Sequence, residues 1–308
     1  MKSILNKATS TAKTGPVGGR PPAAVELTVE GAIAAALPLS GREPLYAFAQ
    51  LPAGALAPGV SEPNIRSVDA VVGAIKSVLD RVQPRSRFVT LVLPDPSVRI
   101  FILDFDSLPS KAAEAIAVMR LRMRKMVPFD VENAAISYQV LAQNGGTLKV
   151  LTAILPGQML AEYELAVRAA GYEPGAVLPS SLAALETIDS MESVLTASLD
   201  PSTLTTSITN GSDLLLHRTL DLPQEPELWL AEIQRGIAVA AAFFEDTLHA
   251  PAREIRYTGS YDAGEFAEWI GDMDLNVVEL APRPETGAMT ALGHASIAGT
   301  AGALVGAN

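Results

Sequence analysis

The stretch of sequence that decides the fold is VRIFILDFDSLPSKAAEAIAVMRLRMRKMVPFD, residues 98–130. Its apolar run at 98–103 predicts a strand, and residues 110–126 predict a helix that opens after Pro109. Two further strands are predicted at 136–141 and 148–155, joined at Asn144-Gly145-Gly146, where a tight hairpin turn tolerates positive φ. The order strand, helix, strand, strand predicts a compact subdomain at residues 97–155.

The residues on both sides of this subdomain predict one lobe. Before it, apolar runs bounded by Gly or Pro predict three strands, and a helical apolar stripe leads to a fourth strand. After it we expect a helix, a short strand before Pro179 and a second helix. In chain order these elements cover residues 24–29, 32–37, 45–51, 65–82, 87–93, 158–170 and 181–188. We therefore predict a first lobe built from residues 23–96 and 156–190, preceded by a flexible tail at 1–22.

The remaining residues repeat the same theme. Three strands in quick succession are followed by a long helix, a strand, a shorter helix, a strand and a final helix in the apolar stretch 291–307. The predicted bounds are 193–199, 204–209, 214–220, 226–248, 254–257, 264–270 and 276–280, with Asn210-Gly211 at the second hairpin turn. Helices alternating with strands give an α/β class. The duplicated order predicts a second lobe at residues 191–308, with a ligand cleft between the lobes.

Composition excludes several classes of protein. The chain has 308 residues, of which 48% are hydrophobic and 19% charged, so it has enough apolar surface to fold. Cysteine is absent, which excludes disulfides, thiolate nucleophiles and cysteine-ligated metals. Of the net charge of −11, residues 200–281 account for the whole excess, with fifteen acidic and four basic side chains. Because nucleic acids are polyanions, we expect no nucleic-acid partner.

The sequence also bears on the compartment. It has no run of eighteen apolar residues that would predict a transmembrane helix. The basic start with Lys2, Lys7 and Lys13 is followed only by Ile4-Leu5, too short an apolar stretch for a secretory signal. We therefore expect a cytoplasmic protein.

The order of these motifs resembles PilM, a type IV pilus assembly family related to the cell-division protein FtsA. The likeness begins with the strand at 98–103, Leu108-Pro109 and the step Val127-Pro128-Phe129 that follows the helix. It continues with Glu-Ile-Gln-Arg at 232–235 and Arg-Glu-Ile-Arg-Tyr-Thr-Gly at 253–259. The matching order of elements spans roughly residues 23–305.

The resemblance implies an actin-like (ribonuclease H-like) two-lobe fold with the subdomain at 97–155 inserted. It also implies a cytoplasmic scaffold that binds the cytoplasmic tail of PilN, an inner-membrane protein, and works with other pilus assembly components. Contact with the membrane would then be made only through partners. In the family, ATP lies in the cleft between the lobes.

The phosphate loops that the resemblance implies are altered here. The first hairpin offers Glu26, Glu30 and Gly31 but lacks the Asp-x-Gly-Ser pattern, and an ordinary turn explains it better than a phosphate loop does. The second has Asp200 in place, followed by Pro201, which has no N–H to give to a phosphate. The hydroxyl groups of Ser202 and Thr203 are still able to bind a phosphate there.

The adenosine loop keeps a single glycine, Gly259, where the family has two. We therefore expect a pseudo-ATPase with no catalytic residue and no cofactor. ATP with magnesium remains the alternative, in a working ATPase whose loops have diverged.

A dense basic helix end is the one candidate partner site. Arg120 and Arg124 share a helix face at i, i+4, and with Pro128 and Phe129 they predict the rim of a peptide-binding groove. A solvated helix end is the alternative, because cations are also favoured there by the helix dipole.

Other sites find less support in the sequence. The three histidines His217, His249 and His294 have no second ligand at i+3 or i+4, so we expect no metal site. A cytoplasmic component of type II secretion of the GspL kind is a further alternative; that class normally continues into a membrane helix.

Overall fold

The computed structural model describes residues 19–38, 43–271, 273–281 and 296–307. Residues 1–18 of the predicted tail and residues 282–295, which include His294 and the first part of the apolar stretch 291–307, lie outside the described residues. In chain order the elements are β1 (Ala23–Leu27), β2 (Gly31–Ala36), β3 (Leu45–Gln50), α1 (Val68–Val82), β4 (Phe88–Leu93), a 3-10 turn (Asp95–Ser97), β5 (Arg99–Phe105), α2 (Ala112–Met123), β6 (Ala134–Asn144), β7 (Thr147–Pro156), α3 (Gly157–Ala169), β8 (Glu173–Pro179), α4 (Ser180–Leu185), β9 (Ser193–Asp200), β10 (Thr203–Asn210), β11 (Asp213–Asp221), α5 (Pro226–Leu248), β12 (Glu254–Gly259), α6 (Ala263–Ile270), β13 (Asn276–Glu279) and α7 (Ala298–Leu304).

Two five-stranded sheets have the same strand order. The first runs β3-β2-β1-β4-β8 and the second β11-β10-β9-β12-β13. In each sheet three antiparallel strands precede two parallel ones. The duplicated order predicted from the sequence is therefore present, and each sheet is the centre of one lobe.

The first sheet is covered on both faces, which explains its composition. Every residue of β1 and β2 is buried, so these strands show no alternation of apolar and polar residues. The helix α1 packs on one face through a stripe that includes Val71, Ile75 and Leu79. Alanine fills most of β2, which leaves room for close packing from both sides.

The inserted subdomain, called the insert below, consists of β5, α2, β6 and β7. Its sheet has the order β5-β7-β6, and α2 buries Met119 and Met123 against it. The helix ends at Met123, three residues before the predicted end, and a turn follows in which Met126 N–H donates to the Met123 carbonyl. The hairpin strands run further than predicted, because the β6–β7 ladder continues past its apolar residues to the turn.

The last helix corrects the predicted lobe boundary. The sequence assigned residues 191–308 to the second lobe, but α7 packs on α4 and on β1, β2 and β4 of the first lobe. Gly302 lies so close to α4 that an added Cβ would overlap the Ala183 carbonyl oxygen. The chain therefore crosses back to the first lobe after the second sheet is complete.

This contact gives a stability prediction. Gly302→Ala places a methyl group against the α4 backbone, so we expect the free energy of unfolding to fall by about 1–3 kcal/mol. Gly73→Ala is the matched control, since Gly73 is an exposed helical glycine with open space around it and alanine there stabilises a helix by about 0.5–1 kcal/mol. Urea unfolding measures both changes. Equal behaviour of the two variants would contradict the described packing of α7.

Candidate functional site

Four carboxyl groups lie between the lobes, where the strands of both sheets end. Glu26 is on β1, and Glu30 lies in the turn that follows it. Asp95 lies in the 3-10 turn after β4, which runs parallel to β1. Asp200 ends β9 of the second sheet, and the charges of the other three act on it. We call these residues the interlobe cluster.

Glu26 is the deepest member and joins three elements. It is 5% exposed, and its carboxyl group accepts hydrogen bonds from Ser180 Oγ at the start of α4 and from Thr300 N in the first turn of α7 (3.0 Å). Gly299 lies directly against both carboxyl oxygens. Burial raises the pKa of Glu26 to about 7, with the charge of Asp95 adding to the effect and the Ser180 and Thr300 hydrogen bonds opposing it.

Asp95 holds the start of α4. Its Oδ1 accepts from Ser181 N at 3.0 Å and from Ser181 Oγ at 2.8 Å. Its Oδ2 is buried and has no hydrogen-bond partner. Burial raises the pKa of Asp95 to about 6, and the Ser181 hydrogen bonds oppose the shift.

Asp200, at the end of β9, is the member of the interlobe cluster that the second lobe contributes. Burial of its carboxyl group raises its pKa to about 8, and the negative charges of Asp95, Glu26 and Glu30 add to the shift. A hydrogen bond from Ser260 opposes it.

Three amides of the first hairpin turn, those of Thr28, Glu30 and Gly31, donate within the turn. Thr28 Oγ1 accepts from Glu30 N at 3.3 Å and from Gly31 N at 3.1 Å, and the Thr28 and Gly31 backbones bond each other. An added Cβ at Gly31 would overlap the Phe48 ring and the Ala49 carbonyl oxygen. Gly31 is therefore required by the packing of β3, and the turn is closed on itself.

The second hairpin turn is also engaged within the chain. The Pro201 carbonyl accepts from Trp229 Nε1 at 3.2 Å, and the Ser202 carbonyl accepts from Leu222 N at 2.8 Å. Ser202 is exposed, whereas Thr203 is 2% exposed and its hydroxyl has no partner. Thr203 stands opposite Asp200 in the ladder, so the two side chains share one face of the sheet.

The third loop keeps its glycine for a structural reason. Gly259 has φ 152°, and an added Cβ there would overlap the Leu199 carbonyl oxygen, which accepts from Ser260 N at 3.0 Å. Beside it, the described residues leave a cavity with room for about one water molecule. Tyr261 packs edge to face with Trp229 and Trp269 at ring-centroid distances of 5.7 and 5.0 Å. These three aromatic rings contact one another next to the third loop.

Of the residues predicted for the nucleotide loops, Glu26 and Glu30 act on Asp200 through their charges. Gly31 and Gly259 lie against backbone atoms of neighbouring strands. A role of these residues in nucleotide loops stays a prediction. Asp95 was missed, although an Asp-Pro-Ser sequence directly after a buried strand marks the end of that strand in the cleft. No local sequence pattern predicts that Ser180 and Thr300 donate hydrogen bonds to Glu26.

The predicted basic rim lies on one corner of the insert. The guanidinium group of Arg120 donates to the carbonyls of Val131, Glu132 (3.0 Å) and Ala134 (3.2 Å), so it fixes the loop that follows α2. Arg124 is exposed and forms an ion pair with Glu132. The two other rim residues, Pro128 and Phe129, are exposed and half-buried, respectively.

The described histidines are placed in different settings. His217 is buried, its Nδ1 lies 2.9 Å from Ser207 Oγ, and burial lowers its pKa to about 4. His249 is exposed and ends α5 at φ 56°. Within the described ranges no three acidic, histidine or cysteine side chains are arranged to hold a metal ion.

The two sheets of equal order, the cleft between them and the insert define an actin-like fold. The chain is similar to a chain of the PilM–PilN type IV pilus biogenesis complex, with 17% identity, coverage of 92% of this chain and 98% of that chain, and a TM-score of 0.71. No family model and no curated protein matches the sequence.

Two further solved structures share the fold. One is a Bacteroides thetaiotaomicron protein with an actin-like ATPase fold and unknown function, at 12% identity, coverage of 93% and 95%, and a TM-score of 0.52. The other is the cytoplasmic domain of EpsL, an inner-membrane component of the type II secretion system of Vibrio cholerae, at 13% identity, coverage of 92% and 94%, and a TM-score of 0.51. The predicted fold class and the structural resemblance to PilM are confirmed. None of the described helices has both the length and the apolar character to span a membrane.

The role of Arg120 can be tested by substitution. Arg120→Ala removes hydrogen bonds from a charged donor to three carbonyl groups, and we expect the free energy of unfolding to fall by about 1.5–3 kcal/mol. Arg122→Ala, on the exposed side of the same helix, should change it by no more than about 0.5 kcal/mol. Denaturant unfolding measures both. A neutral Arg120→Ala would show that the loop does not depend on this side chain.

Proposed function

We propose that this protein is an actin-like scaffold of a type IV pilus, or of a related inner-membrane secretion assembly, and that it does not hydrolyse ATP. The observation that carries the second part is the interlobe cluster, which puts the buried carboxyl groups of Glu26 and Asp95 and the half-buried one of Asp200 at the ends of β1, β4 and β9. The first part is supported by the likeness in fold to the PilM–PilN complex along nearly the whole chain.

Electrostatics and hydrogen bonding both argue against a bound triphosphate. A phosphate group is stabilised by free backbone N–H groups and positive charge. In the first hairpin the backbone amides of Glu30 and Gly31 donate to the Thr28 hydroxyl group. The second hairpin contains Pro201, which has no backbone N–H to donate. The neighbouring Glu26, Asp95 and Asp200 side chains are carboxyl groups, so they supply none of the positive charge that stabilises a bound phosphate.

Nucleotide binding is the direct test. The purified protein is titrated with a fluorescent ATP analogue and magnesium, and phosphate release is followed in parallel. We expect neither saturable binding in the micromolar range nor turnover, because the turns offer no amide cradle. Asp200→Ala and the exposed control Asp213→Ala should be indistinguishable from the unsubstituted protein. Micromolar binding that Asp200→Ala abolishes and Asp213→Ala retains would overturn the pseudo-ATPase proposal.

The partner surface that we propose is the corner of the insert formed by Arg124, Pro128 and Phe129. Arg120 holds this corner in shape through its bonds to the following loop. Exposed Pro128 and half-buried Phe129 offer an apolar surface beside a cationic side chain, a combination that suits an extended peptide. We propose that the peptide is the cytoplasmic tail of a PilN-like membrane protein. This contact would hold the protein at the cytoplasmic face of the inner membrane, beside other assembly components.

A charge reversal tests this surface. The probe is a synthetic peptide with the cytoplasmic N-terminal residues of a PilN-like membrane protein. Arg124→Glu should weaken peptide binding by about tenfold or more, as expected when an ion pair or a positive rim is lost. Arg235→Glu on α5 is the matched control, because both arginine side chains are 58% exposed and each pairs with a glutamate.

Isothermal titration calorimetry measures both variants. Equal affinities for the two would remove the insert corner from the proposal while leaving the scaffold function in place.

The likeness to the EpsL cytoplasmic domain supports a second candidate, a cytoplasmic component of a type II secretion system. Both candidate functions use the same two-lobe fold. They are distinguished by identifying the membrane protein that co-purifies with this chain from its own cells.

A further inference from the structure

We propose that the outward face of α2 in the insert binds directly to an anionic lipid bilayer, with its apolar side chains in the headgroup region and its cations on lipid phosphates. This inference goes beyond the proposed function, in which the membrane is reached only through a partner protein. It does not depend on the identity of that partner.

The outward face of α2 carries apolar side chains that the described chain leaves uncovered. The helix buries Met119 and Met123 against the insert sheet. Val118 and Leu121 lie three residues apart and project away from that sheet, with 38% and 68% of their surface exposed. Met126, in the turn that follows the helix, is 41% exposed. Single exposed apolar residues are ordinary, but a group of them on one face indicates a binding surface.

Two cations lie beside these apolar side chains. Arg122 is four residues after Val118 on the same side of the helix, and Lys125 lies in the turn that follows. Both are exposed, and among the described residues neither forms a hydrogen bond or an ion pair. Arg124 differs from them because it pairs with Glu132. The cations left for a partner are therefore those next to the apolar face.

Local charge determines which partner this face fits. The chain as a whole has a net charge of −11, yet residues 111–126 carry five basic side chains and one acidic side chain. That acid, Glu114, pairs with Lys111. In the loop after the helix, Asp130 accepts a hydrogen bond from the Glu132 amide. Exposed apolar side chains next to Lys and Arg are typical of a helix at a membrane interface, and anionic lipids attract such a basic segment.

Helix α5 of the second lobe shows that apolar exposure alone does not define this surface. Its Val239 and Phe243 are also exposed, but the exposed groups that follow them on the helix are Glu245 and Asp246. An anionic bilayer repels a lobe of this charge. The opposite charges of the two regions therefore orient the protein, with the insert towards the bilayer and the second lobe away from it.

A contact of this size is weak by itself. Each Lys or Arg near an anionic surface strengthens binding by about fivefold, and a few partly inserted apolar side chains add a similar factor. The contact becomes effective once a membrane protein's tail holds the chain at the bilayer, because the second contact is then intramolecular. Arg122 and Lys125 lie at the end of α2 that leads into the corner proposed for the peptide.

The first experiment measures co-sedimentation of the full chain with vesicles at increasing lipid concentration. We expect binding to vesicles that contain phosphatidylglycerol, none to vesicles of phosphatidylcholine alone, and weaker binding at higher salt. Leu121→Ser should lower the partition coefficient about tenfold, because an apolar side chain no longer enters the headgroup region. Arg122→Glu should lower it about fivefold or more.

Each substitution has a matched control. Leu165→Ser on α3 matches Leu121→Ser, because Leu165 is a helical leucine that is 60% exposed. Arg253→Glu, exposed directly before β12, matches the charge reversal at Arg122. Both controls should bind the vesicles as the unsubstituted protein does. Equal losses in a variant and its control, or no binding of the unsubstituted protein to phosphatidylglycerol vesicles, would overturn the proposal.

The second experiment locates the contact on the protein. The chain has no cysteine, so Ala117→Cys on the exposed side of α2 and Ser77→Cys on α1 each carry one environment-sensitive fluorophore. We expect phosphatidylglycerol vesicles to shift the emission at residue 117 to shorter wavelength and to leave the emission at residue 77 unchanged. A shift at residue 117 that grows with protein concentration in the absence of vesicles would overturn the proposal, because a second copy of the chain would then cover this face.

Discussion

The bonds of a single carboxyl group, that of Glu26, hold the central part of the structure together. It lies on β1 in the middle of the first sheet, and it accepts hydrogen bonds from the first turns of both α4 and α7. These two helices join the lobes, because α4 leads from the first sheet to the second and α7 follows the crossing back. A buried carboxyl group is costly unless it is bonded or protonated, so the strand and both helix starts must stay in register around it.

The same constraint shapes the cleft. In an actin-like fold, the ends of the equivalent strands of both lobes meet there, and whatever occupies these positions determines what the cleft accepts. Here Asp95 and Asp200 join Glu26, while the nearby turns close on Thr28 or contain Pro201. Among the described residues, the starts of α4 and α7 donate hydrogen bonds to the carboxyl groups of Glu26 and Asp95.

Local patterns predicted most of the elements but few of their contacts. The helix α5 has the predicted bounds Pro226–Leu248, because proline favours the first helical position and the left-handed His249 ends the helix. The end of α2 was predicted three residues late, since the apolar pattern continues past Met123 while the chain already turns. From the sequence, Arg120 was predicted to lie on a basic helix face. In the structure its guanidinium group donates hydrogen bonds to three backbone carbonyls of the following loop. Which partner a long side chain reaches is not encoded in spacing.

The sequence by itself determined the alternation of strands and helices, the duplicated lobes, the insert and the loss of the glycine-rich phosphate turns. These features are local, because strand and helix periods, hairpin residues and the missing N–H of Pro201 act within a few residues of the chain. Only the tertiary structure decided that α7 belongs to the first lobe and that Asp95 joins Glu26 and Asp200. Both outcomes depend on residues far apart in sequence, Glu26 and Thr300 among them, and their pairing arises from burial of a charge rather than from any local pattern.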